Sequence, residues 1–169
     1  FSTPNHPGVA VINKRASEFL GRWTGNPSLD AYISRDPNRV KYQMAAIYEA
    51  IAEKAITYCV APASFESNGQ RIRTVDDIMT LKMGNCLDMT MLYASCLEAA
   101  GLHPLVVLTD NHAFAGCWLI PDSFPDSIND DPALPFQKSK KERNSPRVHS
   151  ELIEKSHPFG GIFCFAPHS

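Results

Sequence analysis

The stretch from Gly84 to Trp118, GNCLDMTMLYASCLEAAGLHPLVVLTDNHAFAGCW, constrains the fold more than any other part of the chain. After Gly84 and Asn85 it runs on as an apolar-rich helical segment from Cys86 to Ala100 and meets a stop at Gly101, with Leu87, Met91, Ala94 and Leu97 expected to face inward. Two strand-like runs follow at once, Pro104 to Leu108 and His112 to Ile120, joined by the turn-forming Thr109-Asp110-Asn111. Leu105 to Leu108 reads Leu-Val-Val-Leu, the pattern of a strand buried on both faces. A helix followed directly by two such strands predicts a helix laid on an antiparallel pair.

Upstream the periodicity is helical. Val9, Ile12, Ala16, Phe19, Leu20 and Trp23 form one stripe, ended by Gly25 and Pro27. Val40, Met44, Ile47, Tyr48 and Ile51 form a second, opened by Asp36 as N-cap and Pro37 at the first helical position. Ile56 to Val60 predicts a short strand closed by Ala61-Pro62, and Ser67-Asn68-Gly69 a turn. Thr74 with Asp77 resembles a capping box, opening a short helix that buries Ile78 and Leu81 and ends on Gly84 in the left-handed conformation. From Pro121 to Arg147 prolines, aspartates and the basic residues Lys138, Lys140, Lys141 and Arg143 crowd out large apolar residues, which predicts a long surface excursion. Glu151 to Glu154 reads as a short element and Gly161 to Phe165 as a final strand. The order of elements predicts a single α+β domain over 1–169, divided into a helical part at about 1–55, a core at 56–120 and a surface loop at 121–150.

Composition narrows the classes of function. With 169 residues, 44% of them hydrophobic and 20% charged, the chain is one ordinary globular domain's worth. A net charge of −2 does not call for nucleic acid or an anionic membrane as partner, and the basic cluster reads as a solvated loop. The longest apolar run, Ala113 to Ile120, is too short to span a bilayer, so no membrane association is expected. No basic stretch followed by an apolar one opens the chain. The five cysteines are odd in number, widely spaced and free of any C-x-x-C pair, which argues against a disulfide scaffold or a zinc ribbon and for a reducing, cytoplasmic setting. There is no phosphate-binding glycine loop, and no cofactor is expected. His103, Asp110 and His112 are read as structural residues rather than metal ligands, since facing one side of a buried strand pair would be a coincidence.

The chemistry-bearing residues lie in the same informative stretch. Cys86 falls at the start of a helix just after a glycine turn, where backbone N–H groups and the helix dipole favour a nucleophilic thiolate. Those N–H groups also suit the oxyanion formed when a thiolate attacks a carbonyl. His112 opens a strand one helix–strand unit later and is placed to serve as general base and then acid. Cys59, Cys96, Cys117 and Cys164 are read as packing residues, because free cysteine is among the most buried residue types. Asp88, two residues past Cys86, is read as an acid favoured by the helix dipole, and Gln70 is a weaker candidate for an oxyanion donor.

Gly84-Asn85-Cys86-Leu87-Asp88, the apolar helix, Gly101-Leu-His-Pro, a hydrophobic strand and then His112-Ala-Phe together resemble the transglutaminase-like branch of the papain-like thiol enzymes. The likeness is closest to the transglutaminase-like segment of large bacterial helicase-like proteins, with Asn5-His6-Pro7, Trp23-Thr24-Gly25, Pro62-Ala63-Ser64-Phe65-Glu66 and Gly69-Gln70-Arg71-Ile72-Arg73 as further matching motifs. It covers roughly the first 120 residues and, with a chain that begins at Phe1, implies a domain excised from a larger protein. The resemblance implies Cys86 as nucleophile and His112 as base. It also implies a third residue, an Asp on the strand after the histidine, that orients the imidazole. A tight hairpin would bring the return arm level with His112 roughly 18 residues on, near Asp130 and Asp131. Asp131 is the expected residue, with Asp130 and Glu154 as alternatives. Two functions follow as expectations. One is a thiol-dependent amide-bond hydrolase or acyltransferase acting on a protein or peptide through a thioester. The other is a non-catalytic transglutaminase-like module whose partners are other domains of the parent protein.

Overall fold

A computed structural model of the chain describes residues 2–59, 72–108 and 112–122, together with the backbone of 162–165. The architecture is α+β. In chain order the described elements are α1 (Pro7–Thr24), α2 (Pro37–Ala52), β1 (Thr57–Tyr58), α3 (Val75–Leu81), β2 (Met83–Gly84), α4 (Cys86–Ala99), β3 (Pro104–Leu108), β4 (Ala113–Trp118) and β5 (Ile162–Phe165).

Each helix starts where a side chain satisfies its first free N–H groups. His6 caps α1, its ring nitrogen accepting from the Gly8 amide at 3.0 Å, and Pro7 stands where no N–H is needed. Asp36 and Pro37 do the same for α2. Thr74 and Asp77 form the expected capping box on α3, and Asn85 and Asp88 form a second on α4. Gly25 ends α1 in the left-handed conformation. At Gly101 the same conformation, with φ 78°, turns the chain from α4 into β3, and a Cβ there would meet Ala31 Cβ at 3.2 Å.

The apolar stripes of α1 and α2 face each other and α4, so Val9, Ile12, Leu20, Met44, Ile47, Leu92 and Leu97 make one buried core that continues into Ala115 and Cys117 of β4. Two polar ties cross it: Asn13 Nδ2 donates to the Cys96 carbonyl, and the Tyr93 hydroxyl to that of Met44, both at 2.9 Å. The connection between α1 and α2 is latched to α2 by its own side chains. Arg39 donates to Thr24 Oγ1, to the carbonyls of Asn26 and Ser28 and to Asp30. Gln43 pairs with both backbone groups of Ala31 at 2.9 Å.

The strands form two sheets. β1 and β2 are a two-residue parallel pair, Thr57 opposite Met83 and Tyr58 opposite Gly84. β3, β4 and β5 form an antiparallel sheet in that order, and α4 packs on β3 and β4.

Several expectations need correction. Gly84 does not end α3; Lys82 takes the left-handed position with φ 52°, which leaves Gly84 free to pair with Tyr58. Leu81 and Trp23 are exposed, because each lies at the last turn of its helix, beyond the reach of the core. α4 is sheathed on most of its girth: Leu92, Tyr93 and Cys96 are buried as deeply as Ala94 and Leu97, while Leu87 and Met91 are only half-buried. β3 is not buried on both faces. It is the edge of its sheet among the described residues, and Val106 and Leu108 are exposed. No helix among the described residues is long and apolar enough to cross a membrane.

Candidate functional site

Cys86 is the first residue of α4, and the sequence around it accounts for that placement. Gly84, held in β2, hands the chain to Asn85, whose extended backbone and side-chain oxygen cap the helix by accepting from the Asp88 amide at 2.9 Å. Asp88 answers by accepting from the Asn85 amide at 3.0 Å. The N–H groups of Cys86 and Leu87 head the helix, where no intrahelical acceptor exists for them. The Cys86 thiol itself is half-buried, neither sealed in the core nor fully in water.

Asp88 does more than favour the dipole. It is wholly buried, and besides Asn85 it takes the Arg73 amide at 2.8 Å and the Arg73 guanidinium at 2.7 Å. Its charge is thereby directed at Arg73 rather than at the thiol. The pairing with Asp88 in turn raises the Arg73 guanidinium above its ordinary value, against a smaller opposing effect of desolvation. Arg73 therefore ties the segment that leads into α3 to the start of α4.

From the other side, β1 clasps the same turn: the Thr57 amide donates to Lys82 O at 2.8 Å and the Cys59 amide to Gly84 O at 3.0 Å. This sets Tyr58 opposite Gly84, two residues before Cys86. Desolvation pushes the Tyr58 phenol above its ordinary value, and the charge of Cys86 and a hydrogen bond to it add to that shift, as does the charge of Cys59.

His112 is half-buried and immediately precedes β4, whose first residue, Ala113, lies opposite Leu108. The connection from α4 is short, so β3 starts beside the C-terminal end of α4 and runs back along it. At 1.5 Å per residue α4 is about 21 Å long, and β3 recovers most of that length at roughly 3.3 Å per residue. These lengths suit a return of Leu108, and of the start of β4, toward the Cys86 end of α4, which packs on both strands.

The remaining expectations divide. Cys96 and Cys117 are buried packing residues whose thiols are pushed up to about 12 by desolvation, against which Tyr32 and the His103 backbone work slightly at Cys117. Cys59 is not a core residue; it is half-buried in the β1 clasp. His103 lies at the opposite end of β4, its ring Nδ1 against Asp122 O at 2.8 Å. Among the described residues no group of three His, Cys, Asp or Glu side chains stands close enough to hold a metal. The ladder neighbour of β4 on the side away from β3 is β5, with Ala115 opposite Phe165. The tight-hairpin register that put Asp130 and Asp131 level with His112 is therefore not the register of this sheet, whose next strand is formed by 162–165. Asp130, Asp131, Glu154, Gln70 and the basic cluster lie outside the described residues.

Three residues around this helix start escaped sequence reasoning in whole or in part. Tyr58 falls in the strand read at 56–60, but nothing local pairs that strand with Met83 and Gly84. Arg73 and Asp88 carried half of one: Asn85 and Asp88 have capping-box spacing, but nothing local says that a buried acid will recruit an arginine 15 residues upstream. No family model, curated protein or solved structure matches the chain.

Proposed function

We propose that this chain is a thiol-dependent amide-bond hydrolase or acyltransferase of the transglutaminase-like kind, with Cys86 as nucleophile and His112 as base. The observation that carries the reading is a half-buried thiol at the first position of α4, and the packing of α4 on β3 and β4 supports His112 as its partner. In the reaction His112 takes the thiol proton and the Cys86 sulfur forms a bond to the substrate's carbonyl carbon. The carbonyl π pair moves to oxygen, where the N–H groups of Cys86 and Leu87 receive the charge. When the carbonyl re-forms, the C–N bond breaks and the amine leaves with the proton held by His112. Water attack on the thioester, with its proton passing to His112, releases the acid and restores the thiol; attack by a second amine transfers the acyl group instead. A protein or peptide amide is the substrate class.

The test is native-state alkylation by iodoacetamide near pH 7, with each thiol followed by mass spectrometry. Cys86 is expected to react about tenfold or more faster than Cys59, Cys96 and Cys117 are expected to stay unlabelled, and His112→Ala is expected to bring Cys86 down to the rate of Cys59. A Cys86 that reacts no faster than Cys59 and is indifferent to His112 would overturn the enzyme reading and leave the non-catalytic module in its place.

A further inference from the structure

A buried carboxylate stands two residues from the thiol, and the charge that cancels it comes from another segment of the chain. We propose that Arg73 is a positioning residue acting through Asp88: it neutralises that carboxylate at the head of α4, so that the Cys86 sulfur can carry the negative charge of a thiolate there. This rests on the proposed role of Cys86 and gives the ion pair beside it a task.

Asp88 is wholly buried, so little solvent screens its charge. It lies in the first turn of α4, where helical geometry puts its Cα about 5 Å from that of Cys86. Residues two apart on a helix do not face each other, so the carboxylate acts on the sulfur through its field rather than by contact. Left alone, that field opposes a second negative charge. The Arg73 guanidinium closes it at 2.7 Å, and the Arg73 amide reaches the other carboxylate oxygen at 2.8 Å. A structural tie needs only donors, and the amides of Asn85 and Arg73 already supply two. The guanidinium adds what no amide can, a full opposite charge.

The other charged or titratable groups around Arg73 and Cys86 are Tyr58 and Cys59 of β1, Asp77 of α3, which is held by Thr74, and His112 as the proposed base. None of them changes when the pair is altered, and a charge effect differs in sign across it. In Arg73→Gln, alkylation of Cys86 by iodoacetamide at pH 7 is expected to slow about fivefold, and the midpoint of its pH profile to rise by about one unit. In Asp88→Asn, which leaves the guanidinium's charge uncancelled, the rate is expected to rise by a similar factor. The double variant is expected to return to within about twofold of wild type although the tie is gone. Arg73→Lys, which keeps the charge but not the fork, is expected to stay equally close. Cys96 and Cys117, buried in the fold, mark it as intact wherever they stay unlabelled, and should Arg73→Gln expose them, Arg73→Lys and Asp88→Asn decide. A loosened helix head would instead slow Cys86 in every variant and most in the double, and that result would overturn the proposal. So would an Arg73→Gln profile that superimposes on wild type while wild-type Cys86 still outruns Cys59 and depends on His112, and the proposed function would then stand. A wild-type Cys86 that behaves like Cys59 would overturn both.

Discussion

Replacing Asp88 by asparagine is expected to lower the unfolding free energy by about 3 kcal/mol, read as a fall in the urea midpoint at unchanged slope. The substitution keeps the shape and removes the charge. Asp88 is 0% exposed and accepts from three donors, the amides of Asn85 and Arg73 and the Arg73 guanidinium. An asparagine offers one acceptor oxygen and turns an NH2 toward donors that have no lone pair to give it. The Arg73 guanidinium is left facing a neutral group, and at least one buried N–H loses its partner. Arg73→Ala is expected to cost less, because the arginine is partly in water and its removal leaves Asp88 two backbone donors. Measured together, the two substitutions should be strongly non-additive. A loss below about 1 kcal/mol for Asp88→Asn would show that the carboxylate is not the tie described here.

The second large effect is alkaline. The Cys96 and Cys117 thiols are held protonated up to about 12 by burial, and the Tyr32 and Tyr93 phenols are raised as well, chiefly for the same reason. All four are acids whose folded values lie above their unfolded ones. Above about pH 9 the unfolded chain gives up the thiol protons that the folded chain keeps, so the unfolded state binds fewer protons and stability falls as pH rises. The stabilisation is fully present below the ordinary thiol range and is lost as pH climbs toward 12. Each thiol loses about 1.4 kcal/mol per pH unit over roughly three units, or about 4 kcal/mol in all. Urea midpoints at pH 8, 9, 10 and 10.5 should therefore fall with increasing steepness. In a Cys96→Ala, Cys117→Ala double variant, less stable at pH 8 through its cavities, the fall should be shallower, since the two buried thiols no longer contribute to it. Parallel profiles for the two proteins would rule out the thiols as the cause.

The parts of this molecule that the sequence discloses are those governed by local rules. Asp36-Pro37, Thr74 with Asp77, Gly25 and Gly101 each mark a boundary through one residue's backbone preference, and α1, α2, α4 and β3 begin or end at or within a residue of where those rules put them. Cys86 was legible for the same reason, because a thiol at a helix start is a local fact. Long-range partnerships were not. Gly84 looked like a helix terminator because glycine suits that position, but Lys82 accepted the strained conformation, and the glycine went to a strand pairing that joins residues more than 20 apart in sequence. The apolar run of β3 reads as a central strand, but hydrophobicity alone does not distinguish a buried edge from an open one. The register that selected Asp130 and Asp131 assumed the nearest strand would pair with β4, whereas β5 comes from far downstream.

The latch between α1 and α2 has a consequence for how the molecule assembles. Arg39 and Gln43 close onto residues 24–31, and the two helices they join bury their stripes against each other, so this unit is complete within residues 7–52. Contacts so near in sequence cost little loop entropy, which makes the helical hairpin the natural nucleus of folding. The head of α4 is the opposite case: beyond the local Asn85–Asp88 cap, its ties reach to Arg73 and to β1 in two other segments. In a chevron analysis Ile47→Val is thus expected to slow refolding, while Asp88→Asn leaves the refolding limb nearly unmoved and accelerates unfolding. The thiol would then be among the last groups to reach its working position and among the first to leave it, so its reactivity would report on the final step of folding rather than on collapse.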